Sequence, residues 1–219
     1  MKRRQFVQDM AVLGVAAGVA PRAALLADDE PNARRIRRWR GFNLQARFGW
    51  PGHPYDGPAF EESDFAAMAD WGFEESDFEM MAEWCFDFAR LPLNYWNWGS
   101  RDDWSLVREE PLKQFDRAVE LGRKHAVHVN INFHRLPGYC INGREMEPMD
   151  LFSGRKAERD TALAAAVFHW KTFATRYKGI PSRQLSFDLI NEPPWVKKYE
   201  GYLFERYDEI VRALVAGIR

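Results

Sequence analysis

The sequence predicts an α/β protein with a parallel sheet, built as about the first four units of a (β/α)8 TIM barrel. Four apolar segments near residues 42, 88, 130 and 187 have the length and composition of strands, and helical segments alternate with them. No hairpin signal joins two of these strands, which favours parallel pairing. Three of the strands end in polar side chains, as the strands of barrel enzymes do. A complete barrel typically needs about 250 residues, so we expect only half of one.

The segment before the first strand is expected to be an export signal followed by a spacer. Arg3 and Arg4 precede the apolar run Met10–Ala20, which is too short to span a bilayer as a mature helix. This pattern is similar to a twin-arginine signal, and an uncleaved amphipathic start is the alternative. The predicted division is a signal peptide over 1–27, a polar linker over 28–38 and a partial barrel over 39–219. We therefore expect an exported protein, periplasmic or extracellular.

The first strand is predicted over Trp39–Leu44, and a near-repeat of 13 residues separates it from the second strand. Phe60–Gly72 and Phe73–Cys85 each predict a short helix, capped by Ser63 and Ser76 respectively. Thirteen residues do not complete whole turns at 3.6 residues per turn, so one continuous helix would turn the two apolar stripes to different faces. We expect the second copy alone to serve as the barrel helix.

The second strand is predicted over Phe86–Leu93 and carries Arg90 close to a proline. The aromatic residues of Asn94–Trp98 follow in a loop, where large rings either cap the core or form a stacking platform for a flat ligand. We favour the platform, with Trp98 as a substrate-binding residue.

Longer helices are predicted to cover the sheet. One runs from Pro111 to about His125. Its core-facing side chains are predicted to be Leu112, Phe115, Val119 and Leu121. The next covers Lys156–Lys178 and is closed by Gly179, and another begins at Gly201 and continues to the end of the sequence.

The third strand, Val127–His134, alternates with period two. One face carries Val127, Val129, Ile131 and Phe133; the other carries His128, Asn130, Asn132 and His134. A polar second face on a buried strand suggests a lined cavity. His134 is either a residue of that cavity or a hydrogen-bonded structural histidine, which is the commoner outcome. The loop Arg135–Arg155 that follows is of the length that often frames a site.

The fourth strand begins at Leu185 and places a carboxyl group at its tip. The apolar run ends in Asn191 and Glu192, after which Pro193 and Pro194 stop any ladder. Partial burial of Glu192 would disfavour its charged form, which suits a general acid working near neutrality. The alternative is a strand that simply ends in a polar turn.

Composition excludes several classes of protein. A net charge of −1 gives no electrostatic case for binding nucleic acid or an anionic membrane. The 15% aromatic content, with nine Trp, suits flat ligands such as sugar rings. Metal-ligand spacings such as Cys-x-x-Cys and His-x-His do not occur, so no metal or other cofactor is expected. Cys85 and Cys140 either pair after export or stay as buried thiols, and the oligomeric state is left open.

The chain resembles glycoside hydrolase family 5, the cellulase-type retaining β-glycanases, over about residues 39 to 219. The resemblance is carried by Arg40–Leu44, Phe88–Leu93, Asn132–Tyr139 and Phe187–Pro193. It implies that Glu192 is the acid/base, that Asn191 binds the 2-hydroxyl of the sugar, that His134 lines the adjoining subsite and that Arg90 positions the nucleophile. The nucleophile of this family is a second glutamate on the seventh strand, which we expect to lie beyond the end of this chain.

The resemblance predicts hydrolysis of β-linked polysaccharide, cellulose-like β-1,4-glucan first, by a retaining two-glutamate mechanism. We expect the 219-residue chain alone to be inactive. One alternative is a catalytically inactive carbohydrate-binding fragment that stacks glycan on Trp96, Trp98 and Trp104. A metal-dependent barrel hydrolase is disfavoured because the first strand offers no His-x-His.

Overall fold

The structure is a computed structural model that describes residues 38–44, 72–141, 147–194 and 200–219. The chain divides into two units, 1–38 and 39–219. The predicted signal peptide, nearly all of the predicted linker and residues 60–71 of the first repeat copy lie outside the described residues. No helix in the described part of the chain has the length and apolar character needed to cross a membrane.

The described residues form a four-stranded parallel sheet in the order β1-β2-β3-β4, with helices between successive strands. The elements are β1 Gly41–Asn43, α1 Glu75–Glu83, β2 Phe88–Asn94, a 3-10 turn Tyr95–Asn97, α2 Glu109–Lys124, β3 His128–Arg135, α3 Lys156–Arg176, β4 Leu185–Asp188 and α4 Glu200–Ile218. The predicted α/β class and half-barrel order are confirmed. The first and fourth strands, of three and four residues, are shorter than the segments predicted for them.

The third strand separates an apolar face from a polar face, as its alternation predicts. Val129 lies against Gly122 of α2, and Phe133 stacks on Trp170 of α3 with ring centroids 3.8 Å apart. On the other face, the Asn130 side-chain amide donates to the Ser186 hydroxyl on β4 across 2.8 Å. The helices therefore cover one face of the sheet, and the polar side chains collect on the other.

The two long helices pack as predicted. The four apolar residues expected to face inward from α2 are all buried, and α3 adds Trp170 and Phe173 to the same core. Pro111 is tolerated in the first turn of α2 because the first four N–H groups of a helix have no partner within it. Arg176 joins α3 to α2 through Asp116 and Glu109.

The second repeat copy forms α1, but its capping residue is not the predicted one. Glu74 is the N-cap, and its backbone N–H donates to the Asp77 carboxylate across 3.0 Å. Ser76 lies inside the first turn, so the predicted serine cap is wrong. Asp77, three residues after Glu74, closes the turn from within the helix. The helix buries Phe78 and Met81.

Trp98 is a core residue, and its predicted role in stacking on substrate is wrong. Its side chain is fully buried, with ring centroids 5.1 Å from Phe133 and 4.9 Å from Phe173. The 3-10 turn before it turns the ring inward, where His169 accepts its indole N–H. Of the three tryptophans proposed as a platform, Trp96 is half-buried, and the guanidinium groups of Arg101 and Arg135 each lie 4.8 Å from its ring centroid.

Candidate active site

The structure brings together three of the residues predicted for the site. Arg90 from β2, His134 from the end of β3 and Asn191 from the segment after β4 form one hydrogen-bonded row on the polar face of the sheet. Asn191 is buried, and Arg90 and His134 are half-buried. Parallel strands bring these side chains to the same face of the sheet, which explains why residues so far apart in sequence meet. Arg90 was predicted at a strand end but is the third of the seven residues of β2, in register with Asn130, and its long side chain spans the remaining distance.

Arg90 lies at the centre of the row, because each of the three nitrogens of its guanidinium donates a hydrogen bond. Nε donates to the Asp188 carboxylate across 2.8 Å, and one terminal nitrogen donates to Oδ1 of Asn191 across 2.9 Å. The other donates to Oδ1 of Asn43 on β1 across 3.2 Å. Sequence reasoning missed Asp188 and Asn43. A polar residue at the end of each short apolar strand is the signal that could have found them.

The hydrogen bonds of the row run in one direction. Since Arg90 donates to the Asn191 oxygen, the Asn191 amide N–H₂ faces Nε2 of His134 at 3.5 Å. Nδ1 of His134 lies 3.2 Å from Oδ1 of Asn132, whose own amide donates to the Asp188 backbone carbonyl. This order requires a neutral imidazole with its proton on Nδ1.

The electrostatics of His134 agree with that tautomer. Burial lowers the pKa of His134 below its usual value, and the Arg90 guanidinium lowers it further. A neutral Nε2 then stays available as an acceptor for Asn191. The arrangement holds the Asn191 amide fixed from both sides, by a donor at its oxygen and an acceptor at its nitrogen.

Glu192 follows this row directly and has an unusual backbone. Its φ is +45°, in the left-handed region that non-glycine residues rarely adopt, and Pro193 comes next. Its carbonyl oxygen accepts a hydrogen bond from the Tyr139 hydroxyl, which sequence reasoning did not assign to the site. The side chain of Glu192 is exposed, so the partial burial predicted for it is wrong. The strand ends four residues earlier, which leaves the carboxyl group beyond the packed part of the sheet.

Among the described residues, the one group of His and acidic side chains close enough to share a cation lies elsewhere. Glu75, Glu79 and His125 place ligand atoms within 4.8 Å of one another beside α1 and the end of α2. Glu75 already accepts hydrogen bonds from Lys124 and His125. The group precedes β3, at the amino ends of the strands and away from Arg90 and Asn191.

Comparison with known proteins places these features in one family. A family model described as cellulase (glycosyl hydrolase family 5) matches residues 39–219. Cellodextrinase A of Ruminococcus flavefaciens is 31% identical over 132 residues, which are 60% of this chain and 33% of that protein. Glucan 1,3-beta-glucosidase D of Emericella nidulans is 34% identical over 145 residues, covering 60% of this chain and 15% of its own length.

A solved glycoside hydrolase structure agrees with the fold. It is 29% identical and superposes with a TM-score of 0.66, covering 84% of this chain and 49% of its own. The chain thus spans a third or less of the two curated relatives and about half of the solved structure. The resemblance carried by its strand-end motifs is confirmed, and the chain belongs to glycosyl hydrolase family 5.

Proposed function

We propose that this chain carries the acid/base part of a retaining hydrolase site for β-linked glucan, cellulose-like β-1,4-glucan first. Support comes from family membership and from one observation, the hydrogen-bonded row of Arg90, Asn191 and His134 directly beside Glu192. In this proposal Glu192 protonates the glycosidic oxygen as the leaving sugar departs and then deprotonates the water that attacks the glycosyl enzyme.

Asn191 has the geometry of a sugar-binding amide. Its oxygen is occupied by Arg90, and one amide N–H points at His134. An amide nitrogen carries two N–H groups, so the second can donate to a sugar hydroxyl. A donor held on both sides loses little freedom when the substrate binds, which favours a hydrogen bond that strengthens in the transition state.

Retaining hydrolysis also needs a second carboxylate, which acts as the nucleophile about 5 to 5.5 Å from the acid/base. Asp188 contributes a carboxylate to the row, and Nε of Arg90 binds it at 2.8 Å. We therefore give Asp188 the role of orienting Arg90, and we assign no nucleophile among the described residues. Arg90 would in turn place its positive charge where the nucleophile has to be ionised.

Site-directed change of the acid tests this function in a form of the protein that also carries the nucleophile. There, Glu192→Gln keeps the shape but removes the transferable proton, so β-glucan hydrolysis should fall by about 10²- to 10⁴-fold. An aryl β-cellobioside with a very good leaving group should lose much less, because it needs little protonation. Glu120→Gln, an exposed glutamate on α2, is the matched control and should change neither rate. Equal losses on both substrates would reject Glu192 as the acid.

A further inference from the structure

The loop after β3 contacts the proposed acid directly. The phenol hydroxyl of Tyr139 donates to the backbone carbonyl of Glu192, from a position 53 residues away in the sequence. We propose that Tyr139 is a positioning residue, which holds Glu192 in its left-handed backbone conformation and so fixes the direction of its carboxyl group. This inference rests on the proposed function insofar as Glu192 is the acid/base.

Glu192 needs such support because its conformation is unfavourable in isolation. The left-handed region costs a non-glycine residue about 1–2 kcal/mol, and Glu192 has a φ of +45°. The ring of Pro193 further restricts the residue before it, favouring extended backbone. Such a conformation persists only where the surrounding structure enforces it. A hydrogen bond to the carbonyl of Glu192 acts on the peptide group whose orientation differs between the left-handed and extended forms.

Tyr139 is itself held firmly enough to impose this conformation. Its backbone forms a two-way pair with Leu136, with N···O distances of 2.8 and 3.1 Å. Its ring packs edge-on against Phe152, with centroids 5.0 Å apart. Gly138 before it has a φ of +77°, and a Cβ there would lie 2.6 Å from the Cβ of Ala162 on α3. The turn therefore sits against α3 with little room to shift.

A buried carboxyl group joins this turn to the second strand. Oε2 of Glu147 accepts the Tyr95 hydroxyl across 2.7 Å and the Gly138 N–H across 3.3 Å. Glu147 is 7% exposed, and Tyr95 directly follows β2. These contacts connect the end of β2, through Glu147 and the turn, to Tyr139 and Glu192. They fix the segment after β4 relative to the strand that carries Arg90.

The hydroxyl of Tyr139 remains a donor throughout the useful pH range. Burial raises its pKa above the usual value, and the nearby Glu192 carboxylate raises it further. The hydrogen bond to Glu192 is therefore not switched by pH. A role in which the ring merely fills space would need the Phe152 contact but not the hydroxyl, and the two roles are separated by removing the oxygen alone.

Selective carbon-13 labelling of glutamate provides a test that needs no turnover. The backbone carbonyl resonance of Glu192 is assigned by its loss in Glu192→Gln. In Tyr139→Phe this resonance should shift upfield, as a carbonyl does on losing a hydrogen bond, while the remaining glutamates keep their positions. Tyr177→Phe removes a buried hydroxyl far from the row and should leave the Glu192 resonance unchanged. A Glu192 carbonyl at its wild-type position in folded Tyr139→Phe would overturn the proposal.

Two further measurements complete the test. If Tyr139→Phe does not fold, the hydroxyl proton of Tyr139 in the wild type tests the proposal instead. This proton should exchange slowly with water and show a cross-peak to Pro193. Rapid exchange with water would overturn the proposal. In hydrolysis assays Tyr139→Phe should lower kcat on β-glucan on the order of 10²-fold with KM unchanged, the loss typical of a displaced catalytic group. If the wild type hydrolyses no glucan even in a form that also carries the nucleophile, the proposed function fails, whereas the carbonyl resonance still decides the role of Tyr139.

Discussion

The indole N–H of Trp98 donates to Nδ1 of His169 across 3.1 Å in the fully buried interior. Because Nδ1 accepts, the proton of the neutral imidazole lies on Nε2. A second proton would set one N–H against another. Burial accordingly lowers the pKa of His169 to about 4.

This pair predicts a loss of stability in mild acid. The unfolded chain binds a proton at His169 near pH 6.5 whereas the folded chain resists it down to about pH 4, so stability is complete above 6.5 and falls between those values. The loss should approach roughly 3 kcal/mol at about 1.4 kcal/mol per unit of pKa. His169→Asn keeps an acceptor for Trp98 but does not titrate. In urea titrations from pH 7 to 4.5, the unfolding free energy of this variant should fall less with pH than that of the wild type. An identical slope would contradict the assignment.

Glu147 predicts the opposite pH dependence. Burial raises its pKa to about 7, so the folded state holds a proton that the unfolded state releases near pH 4.5. The stability contribution is complete below 4.5 and is lost as the pH rises through 7. Glu147→Gln cannot ionise and should gain stability relative to wild type between pH 5 and 8, by roughly 2–3 kcal/mol. Exposed Glu120→Gln is the control and should show no such gain.

Arg90 should not tolerate lysine. Lysine keeps the charge but cannot reach Asn43, Asp188 and Asn191 at once, because it lacks the planar fork. We expect Arg90→Lys to reduce the unfolding free energy by roughly 1–2 kcal/mol, a partly exposed set of charged hydrogen bonds being worth less than a buried one. Denaturant titration of Arg90→Lys beside Arg117→Lys, an exposed site on α2, measures this. Equal stability of the two variants would mean that the fork contributes little.

The second repeat copy should be essential and the first dispensable. Phe78 and Met81 of the second copy are buried under the sheet, so Phe78→Ala should cost about 3–5 kcal/mol. Deletion of Phe60–Gly72 should shift the melting temperature only slightly, as seen by calorimetry. A drop of many degrees would show that the first copy also packs.

Export through the twin-arginine pathway remains a prediction from the sequence. Replacing Arg3 and Arg4 by lysine should leave the precursor in the cytoplasm, because this signal depends on the arginine pair. Cell fractionation and N-terminal sequencing of the exported protein check both the pathway and cleavage after Ala27. Normal export of the double variant would reject the assignment.

The strands could be predicted from sequence because each is a short apolar run followed along the chain by a helix. The alternation in β3 even identified its polar face, since period two is a property of the backbone and not of its surroundings. His134 and Asn191 were found through their place at or just after strand ends, and Arg90, predicted at a strand end, lies within β2. That rule depends only on parallel pairing, which the sequence pattern determines.

Side-chain direction in loops could not be predicted in the same way. A 3-10 turn decides that Trp98 points inward, and a single left-handed residue decides that Glu192 lies exposed. Both depend on contacts with distant groups, His169 for the first and Tyr139 for the second. Asp188 was missed for a related reason: its role exists only because Arg90 reaches it from another strand.

That reach also concerns the shape of the sheet. Arg90 lies on β2 and Asp188 on β4, so the guanidinium passes over β3 to make its 2.8 Å bond. Neighbouring strands lie about 4.8 Å apart, which puts β2 and β4 about 10 Å apart across a flat sheet. Curling the sheet toward its polar face shortens that span, and the bond to Asn43 on β1 draws in the opposite side. The Arg90 side chain thus links strands on both sides of the sheet. Its loss should increase the radius of curvature of the cleft wall as well as remove a charge.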